Sequence, residues 1–232
     1  MEDYGYSKDN LLAVSEEVRT LSERLGRDVT LVAVTKSGSD EELLALAEAG
    51  VENIGENRPG ELRRRGDLLR SLGYTPSLHE IGNLQRNKVK LIIESVTLIH
   101  SIDNLRLAEE VSRQAVACGR CVPVLIEVNS AREEQKDGVM PDMAEQLCEE
   151  IGLLPGIEVV GLMTMGPVCD DAEMLRPYFR ATRELFDRMN EKYAFRNGGI
   201  LSMGMSDSYR VAIEEGSTLV RIGRRFFEKN KS

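Results

Sequence analysis

Between residues 31 and 223 a short apolar run is followed by a helical pattern again and again, and this alternation narrows the fold more than any other feature. The runs are LVAVT (31–35), VENIG (51–55), LHEIG (78–82), TLIHSI (97–102), VPVLIEV (122–128), IEVVGLMTM (157–165), ILSMG (200–204) and STLVRIG (217–223). Helical periodicity follows over 40–50, 57–71, 84–95, 103–118, 141–152, 171–190 and 207–215, with a short last segment, and an amphipathic helix over 7–25 precedes the series. Most of the runs do not alternate apolar with polar, as is typical of strands covered on both faces, and β alternating with α predicts a parallel sheet. Eight such units in 232 residues fit an α/β fold of the closed (β/α)8 TIM-barrel type with an extra N-terminal helix. An open doubly wound sheet is the alternative, but the GxGxxG turn of a dinucleotide-binding fold is missing after the first run. No Pro/Gly/Ser-rich linker divides the chain, so residues 1–232 read as a single domain.

The net charge of −9 argues against nucleic acid as a partner, since that binding rests on clustered cations. The one dense basic run, Arg63-Arg64-Arg65, reads as a solvated helix face. No apolar run approaches the length of a bilayer-spanning helix, so no membrane partner is expected. The first residues, MEDYGYSKDN, lack the basic start and apolar core of a secretory signal, which makes the cytoplasm the expected compartment. Cys118-Gly-Arg-Cys121 has the spacing of a redox or zinc pair. Cys148 and Cys169 form no second pair, so a reduced, metal-free protein is expected.

In such barrels chemistry gathers at the C-terminal ends of the strands. The sequence places Lys36 there after the first strand, Asn57 after the second, His79 to Asn83 at the third and His100 to Asp103 at the fourth. Glu127 to Ser130, Thr164, Ser202 to Asp207 and Arg221 to Arg224 follow at the last four. Polar residues collect at strand ends for solvation alone, yet so many on one rim, both histidines included, form a polar pocket. Gly204 with Ser206, and Gly223 with Arg224, supply small residues, a hydroxyl and free amides at two helix starts, the makings of a phosphate site. Together with a lysine after the first strand they suggest a phosphorylated ligand with a carbonyl. The residues alone leave Lys36 open between a side chain reaching for solvent and an amine that forms a Schiff base. Asp40 reads as the cap of the following helix.

IGEN (54–57), HEIGNLQRNK (79–88), IHSID (99–103), GLMTM (161–165), LSMGMSD (201–207) and GSTLVRIG (216–223) resemble the pyridoxal phosphate homeostasis protein family, related to the N-terminal barrel of alanine racemase. The resemblance runs from about residue 8 to 226. It implies a racemase-type barrel that holds pyridoxal 5′-phosphate as a Schiff base on Lys36. It also implies Asn57 near the cofactor ring, Arg221 at the pyridine nitrogen, and Ser206 with the backbone of Gly223 and Arg224 at the phosphate. His79 and Asn83 are expected on the rim. The family's role is intracellular cofactor homeostasis without established turnover, with apo-enzymes that need the cofactor as candidate recipients. An arginine can only donate to the ring nitrogen, so the ring stays a poor stabiliser of a carbanion, which suits that role.

Two departures from the family pattern stand out. After RIG the family commonly continues Ile-Phe-Gly, whereas this chain reads Arg224-Arg225-Phe226-Phe227-Glu228, and Ser208-Tyr209 follows Asp207 where a second acid is common. Competing functions are a racemase or decarboxylase of the same barrel type, and a Schiff-base aldolase for a phosphorylated sugar. Racemases of this kind use a further β-domain and a partner subunit, for which the roughly ten residues after the last strand leave no room. The expectation is therefore a monomer that binds the cofactor without turning over a substrate.

Overall fold

Eight parallel strands close into a barrel in the computed structural model, which describes residues 4–133 and 135–229. The elements are α1 (Gly5–Leu25), β1 (Thr30–Val34), α2 (Asp40–Glu48), β2 (Asn53–Glu56), α3 (Pro59–Ser71), β3 (Ser77–Glu80), β4 (Leu98–Ile102) and α4 (Leu105–Ala117). They continue with β5 (Val122–Glu127), α5 (Ala144–Gly152), β6 (Ile157–Met163), α6 (Arg176–Tyr193), β7 (Ile200–Ser202), α7 (Tyr209–Glu214), β8 (Leu219–Ile222) and α8 (Arg224–Phe227). Each strand pairs with the next, and β8 returns to β1 with Arg221 opposite Val32. The barrel and the additional N-terminal helix are both as the alternation predicts.

Side chains alternate across each strand, so every strand feeds two cores. Val32, Leu98, Leu125, Val160, Met163 and Leu219 form a cluster that fills the barrel. Outside it, Ile54, Leu62, Leu69, Leu78, Ile99, Val111 and Phe179 belong to the larger layer shared by strands and helices. Burial of a large aliphatic or aromatic side chain stabilises by about 1.5–3 kcal/mol, so these two layers carry the fold. α1 lays Leu11, Val14 and Val18 against Val220, Ile222 and Phe226, covering the seam where the last strand meets the first. It ends at Gly26, whose φ of 60° is the left-handed conformation of a helix stop. Among the described residues no helix is long and apolar enough to cross a membrane.

Three local features differ from the sequence expectation. The segment 84–95 forms only a 3-10 helix, Arg86–Leu91, with Val89, Ile92 and Ile93 buried; these β-branched residues pack well and favour an α-helix little. The pattern over 171–190 opens as a 3-10 turn, Ala172–Leu175, and becomes α6 with Pro177 in its first turn, where a missing N–H is tolerated. Ser39, and not Asp40, caps α2: its hydroxyl accepts from Glu42 N at 3.2 Å while the Glu42 carboxylate accepts from Ser39 N at 2.6 Å.

Candidate functional site

Lys36 lies in the turn after β1, exposed and without a hydrogen-bond or ion-pair partner among the described residues. The turn itself is tightly held. Arg65, on α3, donates to Thr35 O at 2.5 Å and to Gly38 O at 2.7 Å, so one guanidinium clasps the carbonyls on both sides of the lysine. Glu56 completes the clasp, accepting from the Thr35 hydroxyl at 2.6 Å and standing 3.2 Å from Arg65. The ring of Phe227 rests directly on Gly38, where any Cβ would overlap it.

This corrects the reading of Arg63-Arg64-Arg65 as a solvated face. Arg64 is exposed and pairs with Asp40 at 2.7 Å, but Arg65 is only 6% exposed. The signal was its spacing: Leu62, Arg65 and Leu69 share the buried face of α3 at helical intervals.

Arg221 enters the barrel from β8 and is 4% exposed. It donates to the Ser202 hydroxyl and, at 3.2 Å, to Thr164 O. Burial lowers its guanidinium to about 10, against the opposing pull of Glu127, which leaves it a cation at neutral pH. Glu127 is pushed up to about 7, by burial first and then by Asp103 and Asp137.

Both histidines lie within the barrel, and this corrects the expectation of His79 on the rim. His79 Nδ1 is 3.0 Å from His100 Nε2, and His100 Nδ1 is 3.0 Å from Ser202 Oγ. The cause is the register: His79 stands opposite Gly55, on the inward-facing positions of β3 and β2. Burial lowers His79 to about 4 and His100 well below its ordinary range. Asn83 is exposed at the rim.

At the last two strands Gly223 N donates to Ser206 Oγ at 3.2 Å, and Arg221 N to Gly204 O at 3.1 Å. A Cβ on Gly204 would stand 2.5 Å from Ala212 Cβ, and one on Gly223 would stand 2.9 Å from Val34 O. Only glycine lets the turn after β7 pack against α7 and the turn after β8 draw in against the end of β1. At the start of α7 Tyr209 N already donates to Met205 O at 2.8 Å, which leaves Arg224 N, at the start of α8, as an amide with no partner within its helix. Arg224 is exposed and its guanidinium pairs with the Asp207 carboxylate, which leaves its amide as the group available to a ligand. Asn57 is exposed at the end of β2; its backbone packs beneath Gly82, where a Cβ would stand 2.7 Å from Asn57 Cα. The departure after RIG has a place in this architecture: Arg225 bonds the Tyr209 hydroxyl and Phe226 is buried against α1.

An unpartnered amine, a buried arginine, a serine hydroxyl and glycine-lined turns suit a phosphorylated ring compound bearing a carbonyl. A cavity of about 780 Å³ opens beside this group, lined by Glu127, Thr164, Met205 and Ser208 among others. The four cysteines are free, with Cys118 and Cys121 exposed away from the rim.

Residues 10–228 match the alanine racemase N-terminal domain family, the class of barrel that this fold defines. The pyridoxal phosphate homeostasis protein of Aquifex aeolicus is 40% identical over 96% of this chain and 98% of its own length. That of Helicobacter pylori strain 26695 is 34% identical over 99% of this chain and 100% of its own. The chain belongs to the alanine racemase N-terminal domain family and, within it, to the pyridoxal phosphate homeostasis proteins. Among solved structures, PipY of Synechococcus elongatus with pyridoxal phosphate bound superposes with a TM-score of 0.83 at 25% identity, covering 96% of this chain and 100% of that one. Alanine racemase of Clostridium difficile superposes at 0.73 with 20% identity, over 97% of this chain and 57% of its own, which shows a shared fold.

Proposed function

We propose that this chain is a single-domain carrier that binds pyridoxal 5′-phosphate through Lys36 Nζ and serves intracellular cofactor homeostasis, with no substrate turned over. The observation that carries the reading is the pairing of β1 with β8, which sets the strand leading into the free amine of Lys36 beside the strand that carries the buried cation Arg221. In this arrangement Ser206 and the amides of Gly223 and Arg224 take the phosphate, Asn57 flanks the ring, and Arg221 meets the ring nitrogen. His79 acts from inside the barrel. The bound group supplies an electrophilic carbon and an electron-accepting ring. Arg221 limits that acceptor, because a guanidinium has only hydrogens to offer and leaves the ring nitrogen unprotonated. Membership of the homeostasis proteins and the pyridoxal phosphate bound in PipY support the reading.

Purified protein incubated with pyridoxal phosphate should take up one equivalent and turn yellow, and borohydride reduction should fix the added mass to a peptide containing Lys36. Lys36→Ala should lose both. A protein that stays colourless and gains no mass overturns the proposal.

Glu127, with its carboxyl lifted to about 7 beside Arg221, favours the racemase or decarboxylase alternative, since an acid–base group titrating near neutrality is what such chemistry uses. A panel of L- and D-amino acids decides between them: racemisation or decarboxylation that disappears in Lys36→Ala establishes turnover.

A further inference from the structure

Hydrogen bonds through Ser202, His100 and His79 link Arg221 to the far end of the barrel, and with both rings neutral and Asn53 Oδ1 accepting they admit one direction. A guanidinium only donates, so Ser202 Oγ accepts from Arg221 Nη1. The Ser202 hydroxyl hydrogen then goes to His100 Nδ1, 3.0 Å away. With Nδ1 accepting, a neutral His100 carries its hydrogen on Nε2 and donates to His79 Nδ1 at 3.0 Å. His79 in turn carries its hydrogen on Nε2, 3.3 Å from Asn53 Oδ1, and Asn53 Nδ2 faces Leu31 O at 3.4 Å. With both rings neutral, the form that burial favours, this is the one arrangement that gives every link a donor and an acceptor; the reverse direction needs a charged His79. At the end opposite Lys36, Asn53 and His79 line a cavity of about 320 Å³, with Thr30, Leu98 and Leu219.

We propose that Ser202, His100 and His79 are positioning residues that orient the Arg221 guanidinium toward the ring nitrogen of bound pyridoxal phosphate, with Asn53 anchoring the chain at the N-terminal end of the barrel. The proposal rests on the reading that Arg221 meets that nitrogen. Among the described residues the guanidinium has two hydrogen-bond partners, Ser202 Oγ and Thr164 O. If His100 stops accepting, the Ser202 hydroxyl must turn to another acceptor, and the fork of Arg221 loses one of its two fixed points. A guanidinium free to swing makes a weaker and differently placed bond to the ring nitrogen.

The chain holds only two histidines, so ring-¹⁵N labelling gives two signal sets that one substitution assigns. At neutral pH the unliganded protein should show both rings neutral with hydrogen on Nε2. An Nδ1–H tautomer or a charged ring at either site overturns the chain of bonds. The second arm uses pyridoxal phosphate itself. His100→Leu should weaken its binding about tenfold and shift its visible absorption band, while His100→Asn, which keeps an acceptor near the place of Nδ1, should recover most of both. Ser202→Ala should reproduce the shift with less disturbance of the core, and it decides the matter should His100→Leu fail to fold. Unchanged affinity and band in folded His100→Leu or in Ser202→Ala overturn the positioning role. Arg221→Lys separates the two readings. A band that moves in Arg221→Lys but in neither other variant condemns the positioning role alone, and a band that Arg221→Lys leaves unmoved overturns the placement of Arg221 and the positioning role with it.

Discussion

The ring of Phe227 occupies the space above Gly38 that a side chain there would need, with Cζ 2.7 Å from the place of a Cβ. One residue thus joins the last helix of the chain to the turn that carries Lys36. Gly38→Ala should push the half-buried ring aside and destabilise the protein by about 1–2 kcal/mol in urea unfolding. In a Phe227→Ala background the same substitution should cost close to nothing, so a double-mutant cycle measures the contact. Additive effects would show that the ring does not restrain the turn.

The Arg65 clasp predicts a larger effect. Arg65→Met removes the donors to Thr35 O and Gly38 O and leaves the buried Glu56 carboxyl without its cation. A loss of about 3 kcal/mol is expected, as for other broken buried pairs, and Arg65→Lys should recover only part of it because an ammonium lacks the two-armed fork. Chemical denaturation measures the loss. Borohydride trapping on Lys36 should slow in parallel, since the turn is then free to move.

Glu80 sets a pH dependence of known sign. It is fully buried, with Oε1 accepting from Gly82 N at 3.1 Å and Oε2 unpartnered among the described residues. Burial lifts its carboxyl to about 8, with the Gly82 amide working against the rise. The unfolded chain gives up this proton near the ordinary value of about 4.3, so the folded state binds more protons between the two values. Its contribution to stability is complete at low pH and lost as pH rises through about 8, with a slope of at most about 1.4 kcal/mol per pH unit. Glu80→Gln keeps the acceptor and cannot ionise. Its unfolding midpoint should vary less with pH over this interval, and it should be the more stable protein at the alkaline end. Equal slopes in the two proteins would refute the assignment.

The proposed phosphate site makes a distinction between hydroxyl and guanidinium. Arg224 points outward to Asp207, and both side chains are largely exposed, so Arg224→Ala should leave pyridoxal phosphate affinity within about twofold. Ser206→Ala removes the hydroxyl bonded to Gly223 N and should weaken binding by about fivefold. Titration followed in the visible band reads both values.

The barrel is legible in the sequence because unbroken apolar runs such as LVAVT and VPVLIEV have few other uses once helical patterns separate them. The last two strand ends stand out in the sequence for a chemical reason: glycine, serine and arginine together are residues that suit a dianion. Arg65 escapes because charged residues are exposed by default, and only its spacing from Leu62 and Leu69 betrays the buried face. His79 escapes for a different reason. It faces inward from the third of the four positions of β3, and its ring reaches Asn53 at the start of β2 and not the rim beyond β3. Ser39 and Asp40 are equally good capping types, and the glutamate three residues after Ser39 is what separates them.

Pairing of β1 with β8 has a consequence for assembly. β1, which leads into Lys36, and β8, which carries Arg221, come from opposite ends of the chain and become neighbours only when the final strand closes the barrel. A ligand gripped from both sides of that seam can be held only by a finished molecule, and its binding free energy adds directly to the cost of reopening the seam. The vitamin-derived cofactor would then act as a completion signal: a nascent or partly unfolded chain could not sequester it, and the stock of competent carrier would rise with the supply of what it carries.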